Sequence, residues 1–178
     1  MTAKHKAGIV LLAAAALGAA LYGWWVHNAP RRASLDTLTR LDAALHSGNR
    51  AELLDLLVIP AAVRGRSAPE QSEFLAKALK DEISPQGVAV LRRRGAYGPL
   101  KKIFPAEAEG WAAQAGIKAD DCVAFRLERH GLRAEVVLLK PSTLNEQPST
   151  AEQRYRIVRV NNVKQLADSN VSTSEKTP

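Results

Sequence analysis

Cysteine is nearly absent from this chain of 178 residues, which contains one, Cys122. A single thiol excludes an internal disulfide, so a folded domain must be stable without covalent crosslinks. It also excludes a zinc site built from several cysteines. We expect Cys122 to act as a small apolar residue near the start of a strand, with a reactive thiol activated by a nearby cation as the alternative.

Histidine is also scarce, and the four histidines are scattered at His5, His27, His46 and His130. No two of them have the spacing at which imidazoles share one metal ion. The sequence also lacks a glycine-rich phosphate loop and the serine motif of the α/β-hydrolases. These absences predict no metal, no cofactor and no catalytic constellation.

The net charge is +7, from 25 basic and 18 acidic residues, but the basic residues are spread along the chain. A nucleic-acid-binding protein needs clustered basic residues on a recognisable reading element, so we expect no nucleic-acid partner. The densest basic patch joins Arg92–Arg94 to Lys101 and Lys102. We interpret it as a solvated strand end, with lipid headgroups or an acidic partner as the alternative contacts.

The most specific feature present is the uncharged run Ala7–Val26, AGIVLLAAAALGAALYGWWV. As a helix, about 20 residues span roughly 30 Å, the thickness of a bilayer core. Tyr22, Trp24 and Trp25 cluster at its C-terminal end, where aromatic rings favour the headgroup layer. The run predicts a transmembrane anchor in contact with the lipid bilayer.

A cleavable signal peptide is the main alternative, since it too has a basic start and an apolar middle. The short basic tail before the run favours a cytoplasmic N-terminus and an exported remainder. We therefore expect a single-pass protein of the bacterial inner membrane with a periplasmic C-terminal domain. Ala15, Ala19 and Gly23 recur at four-residue spacing, which permits self-association of two helices.

The remaining chain divides by composition and capping signals. Ser34 is predicted to cap a helix, Asn49 a second short helix, and Ser67 with Glu70 a third helix. Val88–Leu91 is predicted to be a strand. The predicted organisation is a basic tail at 1–6, the anchor at 7–26, a juxtamembrane linker at 27–33, one domain at 34–167 and a disordered tail at 168–178.

A hairpin is the sharpest local prediction. The residues of 122–129 and 132–139 flank His130-Gly131, which suits a two-residue turn. In that register three apolar pairs share one face, and two opposite-charge pairs share the other. The apolar pairs are Leu127–Ala134, Phe125–Val136 and Val123–Leu138, and the charged pairs are Glu128–Arg133 and Arg126–Glu135.

Helices precede antiparallel strands, which predicts an α+β domain, and 155–160 adds a last strand. The opening LDAALHSGNRAELLDLL, residues 41–57, resembles the entry to the nuclear transport factor two-like superfamily. The resemblance implies about three helices packed on a curved antiparallel sheet, forming a cone. Stretches such as GAYGPLKKIFP and DDCVAFRLER are similar to those of uncharacterised membrane-anchored bacterial proteins.

That superfamily includes enzymes, carriers and interaction domains, so the fold alone does not assign a function. We expect a binding module without catalytic activity, contacting an envelope protein or a small apolar ligand. Four residues are candidates for its ligand site: Arg126, Glu128, Trp111 and Tyr97. The alternative is a pocket enzyme acting on a small hydrophobic or anionic molecule, with Asp121 joining Arg126 and Glu128 as candidate groups.

Overall fold

The structure is a computed structural model that describes residues 3–141 and 154–167; at residues 3–18, 20, 21 and 25 it describes the backbone but not the side chains. The predicted tail at 168–178 and most of the loop before the last strand lie outside the described residues. The chain divides into two compact units, one ending at Ala33 and the other beginning at Ser34.

The first unit is helical. Helix α1 comprises Ala3–Ser47, with Pro30 inside it, so Ser34 does not cap a new helix and that prediction is wrong. Proline removes one hydrogen bond from the helical ladder, and the surrounding alanines and arginines keep the chain helical here. In the described part of the chain, no helix combines the length and the hydropathy that crossing a membrane requires.

Much of the predicted anchor falls on positions whose side chains lie outside the described residues. Toward its end, the side chains of Tyr22 and Trp24 are 69% and 64% exposed. The Asn28 side-chain amide donates to the backbone carbonyl of Trp24 at 2.8 Å. The transmembrane anchor and the bilayer contact stay predictions from the sequence.

The second unit has an α+β fold, as predicted, with a four-stranded antiparallel sheet in the order β1-β2-β3-β4. The strands are β1 (Ala96–Pro99), β2 (Cys122–Arg129), β3 (Leu132–Leu139) and β4 (Arg156–Asn161). Besides the end of α1, the helices are α2 (Arg50–Leu56), α3 (Ala68–Leu79), α4 (Pro85–Arg94), α5 (Leu100–Ile103) and α6 (Ala108–Ala115).

The β2–β3 hairpin has the predicted register at every pair named above. His130 and Gly131 both have positive φ, 50° and 77°, as a type I′ turn requires. The last predicted strand is also present, and it continues to Asn161 with an irregularity in its pairing opposite Val137 and Leu138. Local turn chemistry and alternation were therefore sufficient to place three of the four strands.

Helices cover both faces of the sheet. The inner face, which carries Phe125 and Val136, packs against leucines of α1, α2 and α4 in one apolar cluster. The outer face, which carries Ala124 and Val137, packs against α5 and α6 in a second cluster. Successive strand residues point to opposite faces, so β2 contributes alternately to the two clusters.

Two predicted caps are present. The Asn49 side chain accepts from the backbone N–H of Glu52 at 3.2 Å, and α2 follows. Ser67 and Glu70 form a capping box at the start of α3, where the Ser67 N–H donates to the Glu70 carboxylate at 2.9 Å. These hydrogen bonds satisfy backbone donors that the first helical turn leaves without partners.

Two further local predictions are wrong. Val88–Leu91 belongs to helix α4 and is not a strand. The basic triplet Arg92–Arg94 therefore lies in the last turn of a helix, where cations favour the negative end of the helix dipole. The Phe74 side chain on α3 is 46% exposed, with the Arg66 guanidinium 5.2 Å from its ring centroid.

Candidate binding sites

The four candidate ligand residues do not converge on one site. Arg126 and Glu128 lie on the outer face of β2, and Trp111 lies on α6, which covers that same face. Tyr97 pairs with Phe125 across β1 and β2 and packs against the inner cluster. The sheet therefore separates Tyr97 from the other three residues.

Tyr97 belongs to a partly buried group of hydroxyls on the inner side. Its ring centroid is 4.7 Å from that of Phe125, and its hydroxyl oxygen is 3.3 Å from Ser34 Oγ. Burial raises the pKa of Tyr155, and the neighbouring Tyr97 raises it further. Tyr155 is thus a neutral hydroxyl at physiological pH, which makes it a structural hydrogen-bonding group rather than a general base.

Arginines and glutamates form a network on the outer face. Arg126 pairs with Glu128, two residues along its own strand, and not with Glu135 opposite it. Arg133 donates to Glu107 at 2.7 Å, which holds the pKa of Glu107 below its usual value. The register of the charged pairs is as predicted, but long side chains choose partners beyond the residue directly across the strand.

Glu135 is the buried centre of this network. Its side chain is 8% exposed, and its two carboxylate oxygens each lie 3.2 Å from an arginine Nε, one of Arg133 and one of Arg159. A carboxylate held away from water is stable only with such partners. The sequence argument missed Arg159 and Glu107, because neither lies in the hairpin; the alternation of YRIVRV was the one signal for Arg159.

Aromatic rings lie beneath the arginines. The guanidinium carbon of Arg133 is 4.9 Å from the ring centroid of Phe104, and that of Arg126 is 5.7 Å from it. The guanidinium carbon of Arg159 is 4.9 Å from the ring centroid of Trp111, which itself meets Phe104 edge-on at 5.0 Å. Cation–π contacts of this kind orient a guanidinium without neutralising it.

A small pocket of about 160 Å³ opens beside Trp111 and Arg159. Its other lining residues are Val58, Pro60, Gln114, Ala115 and Val158. The pocket lies where the chain after α2 meets β4, since the Val58 N–H donates to the Ile157 carbonyl at 2.8 Å. Its volume is below the range of sites for drug-sized ligands, so it fits only a small group.

A larger groove of about 790 Å³ lies on the helical side of the unit. Its apolar floor is formed by Leu45, Ala76, Ile83 and Pro85. Three lysines line it, and Lys164 among them pairs with Asp81 at 2.9 Å. The other two, Lys77 and Lys80, form no ion pair with a described residue. Asp42 also lines the groove and lies 3.4 Å from His46, so the groove combines apolar surface with an excess of basic over acidic side chains.

The remaining groups considered for chemistry have structural environments. Cys122 is fully buried in the outer cluster, and burial raises its pKa to about 11, so a reactive thiolate is not favoured. Asp120 pairs with Lys101 at 2.9 Å, and the Asp121 carbonyl accepts from the Lys140 N–H. Both aspartates are exposed at the entrance to β2.

Comparison of the chain with models of protein families, with characterised proteins and with solved structures finds no match. Its function must therefore be argued from the two binding sites and the sequence.

Proposed function

We propose that this protein is a membrane-anchored binding module whose domain from Ser34 onward recognises an envelope protein. The observation that carries the proposal is the groove of about 790 Å³, which has an apolar floor and lysines along its sides. Apolar surface supplies affinity when it is covered, and lysines select an anionic partner. Such a groove suits recognition without catalysis.

The anchor is proposed from the run Ala7–Val26. Two aromatic side chains at its end, Tyr22 and Trp24, are mostly exposed. Exposed large aromatic side chains are unfavourable in water, whereas they are favoured at the headgroup layer of a membrane. We infer a bacterial inner-membrane protein with a cytoplasmic N-terminus and a periplasmic domain. A reporter active only in the cytosol, fused after Pro178, is expected to be inactive, and activity would contradict this orientation.

The likeness to the nuclear transport factor two-like superfamily also stays a proposal. Helical segments that precede the sheet and cover its inner face, as the end of α1 and α2 to α4 do, support it. Helices α5 and α6 cover the outer face as well, and the resemblance did not imply this second layer. The inner space that an enzyme would use as its pocket is filled by Phe125, Leu38 and Leu41.

The groove occupant that fits best is a short protein segment carrying both apolar and acidic side chains. The groove is partly open to solvent, so a small apolar ligand would remain partly wet, whereas a protein segment excludes water from the floor. Lys77 and Lys80 are exposed and form no ion pair with a described residue, so their charges are available to carboxylates of the partner. A small apolar ligand is the alternative occupant.

Site-specific photocrosslinking of the full chain in its membrane tests this proposal. A crosslinker at Ala76, on the groove floor, is compared with one at Ala78, an exposed position on the same helix. We expect a protein adduct at Ala76 only, reduced about tenfold or more in the Lys77→Glu/Lys80→Glu variant. The crosslinked segment, identified by mass spectrometry, is expected to contain apolar and acidic residues.

A synthetic peptide of the identified segment then separates specific binding from chance proximity. The full chain in detergent is expected to bind the acidic peptide at least about tenfold more tightly than a version with lysine at each acidic position. Lys102→Glu, a charge reversal on the other side of the sheet, is the matched control and should leave binding unchanged. Equal yields of protein adduct at Ala76 and Ala78 would contradict the proposal. An adduct with a small molecule alone would contradict a protein partner and support the small apolar ligand instead.

A further inference from the structure

The pocket beside Trp111 is lined by the guanidinium of Arg159, which is held in place but has N–H donors without partners among the described residues. The Nε atom of Arg159 donates to Glu135 at 3.2 Å, and its guanidinium carbon lies 4.9 Å from the Trp111 ring centroid. The hydrogen bond to Glu135 fixes one edge of the guanidinium, and the contact with the Trp111 ring fixes one of its faces. Among the described residues, neither Nη atom of Arg159 has a hydrogen-bond partner. Four N–H donors are therefore left for a ligand in the pocket that Arg159 lines.

The charge around this pocket is positive. Arg64 donates from Nη2 to the carbonyls of Ile59 at 3.3 Å and Ala115 at 3.4 Å, and so lies close to the pocket. Arg64 forms no ion pair with a described carboxylate. Glu135, the one acidic partner of Arg159 among the described residues, is already shared with Arg133. An anion entering the pocket thus meets guanidinium groups that the protein has not fully neutralised.

The residues that line the pocket indicate which group the ligand carries besides its negative charge. Val58, Pro60, Ala115 and Val158 are apolar, and the Trp111 side chain adds aromatic surface. Gln114 is the one uncharged polar side chain in the lining. A volume of about 160 Å³ admits a carboxylate with a short apolar substituent and excludes a large ring system or a long chain.

We propose that Arg159 and Trp111 form a binding site for a carboxylate that bears a short apolar group. A planar guanidinium matches a carboxylate with two parallel hydrogen bonds, and its prior fixation lowers the entropy cost of forming them. The free carboxylate of a small organic acid and the C-terminal carboxylate of a protein share this chemistry. The site is separate from the lysine-lined groove and does not depend on the function proposed for it.

Trp111 fluorescence in the full chain provides the test. In a Trp24→Phe/Trp25→Phe background in detergent, Trp111 is the only tryptophan. Isovalerate is expected to change its emission saturably, and isovaleramide, which lacks the charge, to bind about tenfold or more weakly. Equal binding of the acid and the amide, or no saturable change with the acid, would overturn the proposal.

Two variants locate the site. Arg159→Gln should weaken isovalerate binding about tenfold or more, and Lys102→Gln is the matched control that should leave it unchanged. Ala115→Leu fills the pocket and leaves the Arg159–Glu135 pair in place, so it should also abolish binding without loss of the fold. Unchanged binding in both Arg159→Gln and Ala115→Leu would place the carboxylate elsewhere and overturn the proposal.

A peptide series separates the two sources of the carboxylate. A tetrapeptide ending in valine with a free carboxylate is compared with isovalerate and with the same peptide amidated. Tighter binding of the free peptide than of isovalerate supports a protein C-terminus, and equal or weaker binding supports a small acid. The Lys77→Glu/Lys80→Glu variant is expected to keep the Trp111 response, so failure of the groove and failure of this site are distinguishable.

Discussion

The inner face of the sheet is covered by leucine-rich helices, whereas the outer face carries arginines, glutamates and aromatic rings beneath two short helices. Both faces bury apolar side chains of the same strands, but the three strand arginines that contact aromatic rings in the described part of the chain all lie on the outer face. The strand side chains of the inner face pack into the apolar cluster, and the proposed groove lies on the helices that cover this face rather than on the sheet. The outer face retains at its margin N–H donors without partners among the described residues, so we assign stability to the inner face of the sheet and ligand binding by strand side chains to the outer face.

The largest effect is expected from deleting a ring on the inner face. Phe125 is fully buried and packs against Tyr97 with its ring tilted by 42°, so Phe125→Ala should lower the free energy of unfolding by about 3–5 kcal/mol. Phe104, equally buried on the outer face, has two arginine side chains that can collapse into its space. Phe104→Ala should cost about 2–3 kcal/mol. Chemical denaturation measures both, and a larger loss for Phe104→Ala would reverse the assignment.

A glycine pair tests how closely the inner layer is packed. A Cβ at Gly87 would lie 1.9 Å from the Val163 carbonyl oxygen, whereas a Cβ at Gly110 would meet nothing within 4 Å. Both residues are helical, so alanine favours the helix at each by about 0.5–1 kcal/mol. We expect Gly110→Ala to stabilise by that amount and Gly87→Ala to destabilise by about 2–3 kcal/mol. Equal changes in melting temperature for the two variants would show that the close approach of Gly87 to the Val163 carbonyl does not limit packing.

The features of the fold that depend on residues close together in the sequence could be predicted from the sequence. The hairpin register follows from one turn and alternating side chains, and both were visible in the sequence. Helix α4 was missed because the apolar run Val88–Leu91 was interpreted as a strand, and the helix start at Ser84-Pro85 just before it was not used. In the structure these residues begin the next helix, since Ser84 Oγ accepts from the Gly87 N–H at 3.1 Å and Pro85 occupies its first turn.

The candidate sites could be predicted only in part. Trp111 was recognised as a candidate, but its neighbour Arg159 is 48 positions later in the chain and belongs to a different element. Nothing in the local pattern joins them, because their contact depends on how α6 packs against β4. Tyr97 was grouped with Trp111 for its aromatic character, but alternation along β1 places Tyr97 on the inner side. Strand β1 itself was not predicted, since glycine and proline occupy half of its four positions.

A smaller effect is expected from the buried carboxylate of the outer face. Glu135→Gln keeps the shape of the side chain but removes the negative charge that Arg133 and Arg159 share. Both arginines are partly exposed, so we expect a loss of about 1–2 kcal/mol rather than the full cost of a broken buried pair. Glu128→Gln, at the exposed pair with Arg126, should cost less than about 1 kcal/mol. Similar losses for the two variants would show that burial of Glu135 adds nothing.

The smallest effect is a change in the acid dependence of stability, and it concerns Glu107 on the outer face. The hydrogen bond from Arg133 lowers the pKa of Glu107, so its ionised form is favoured by folding. Its stabilisation is therefore fully present above the pKa of the unfolded chain and is lost as the pH falls through the lower pKa of the folded state. Glu107→Gln should make the melting temperature fall less steeply between neutral pH and about pH 3. The slope will not vanish, because Glu70 and Asp81 also have lowered pKa values. Glu73→Gln, which removes an exposed carboxylate on the inner-side helix α3, is the matched control. An equal change of slope in both variants would show that the effect comes from the net charge and not from the hydrogen bond with Arg133.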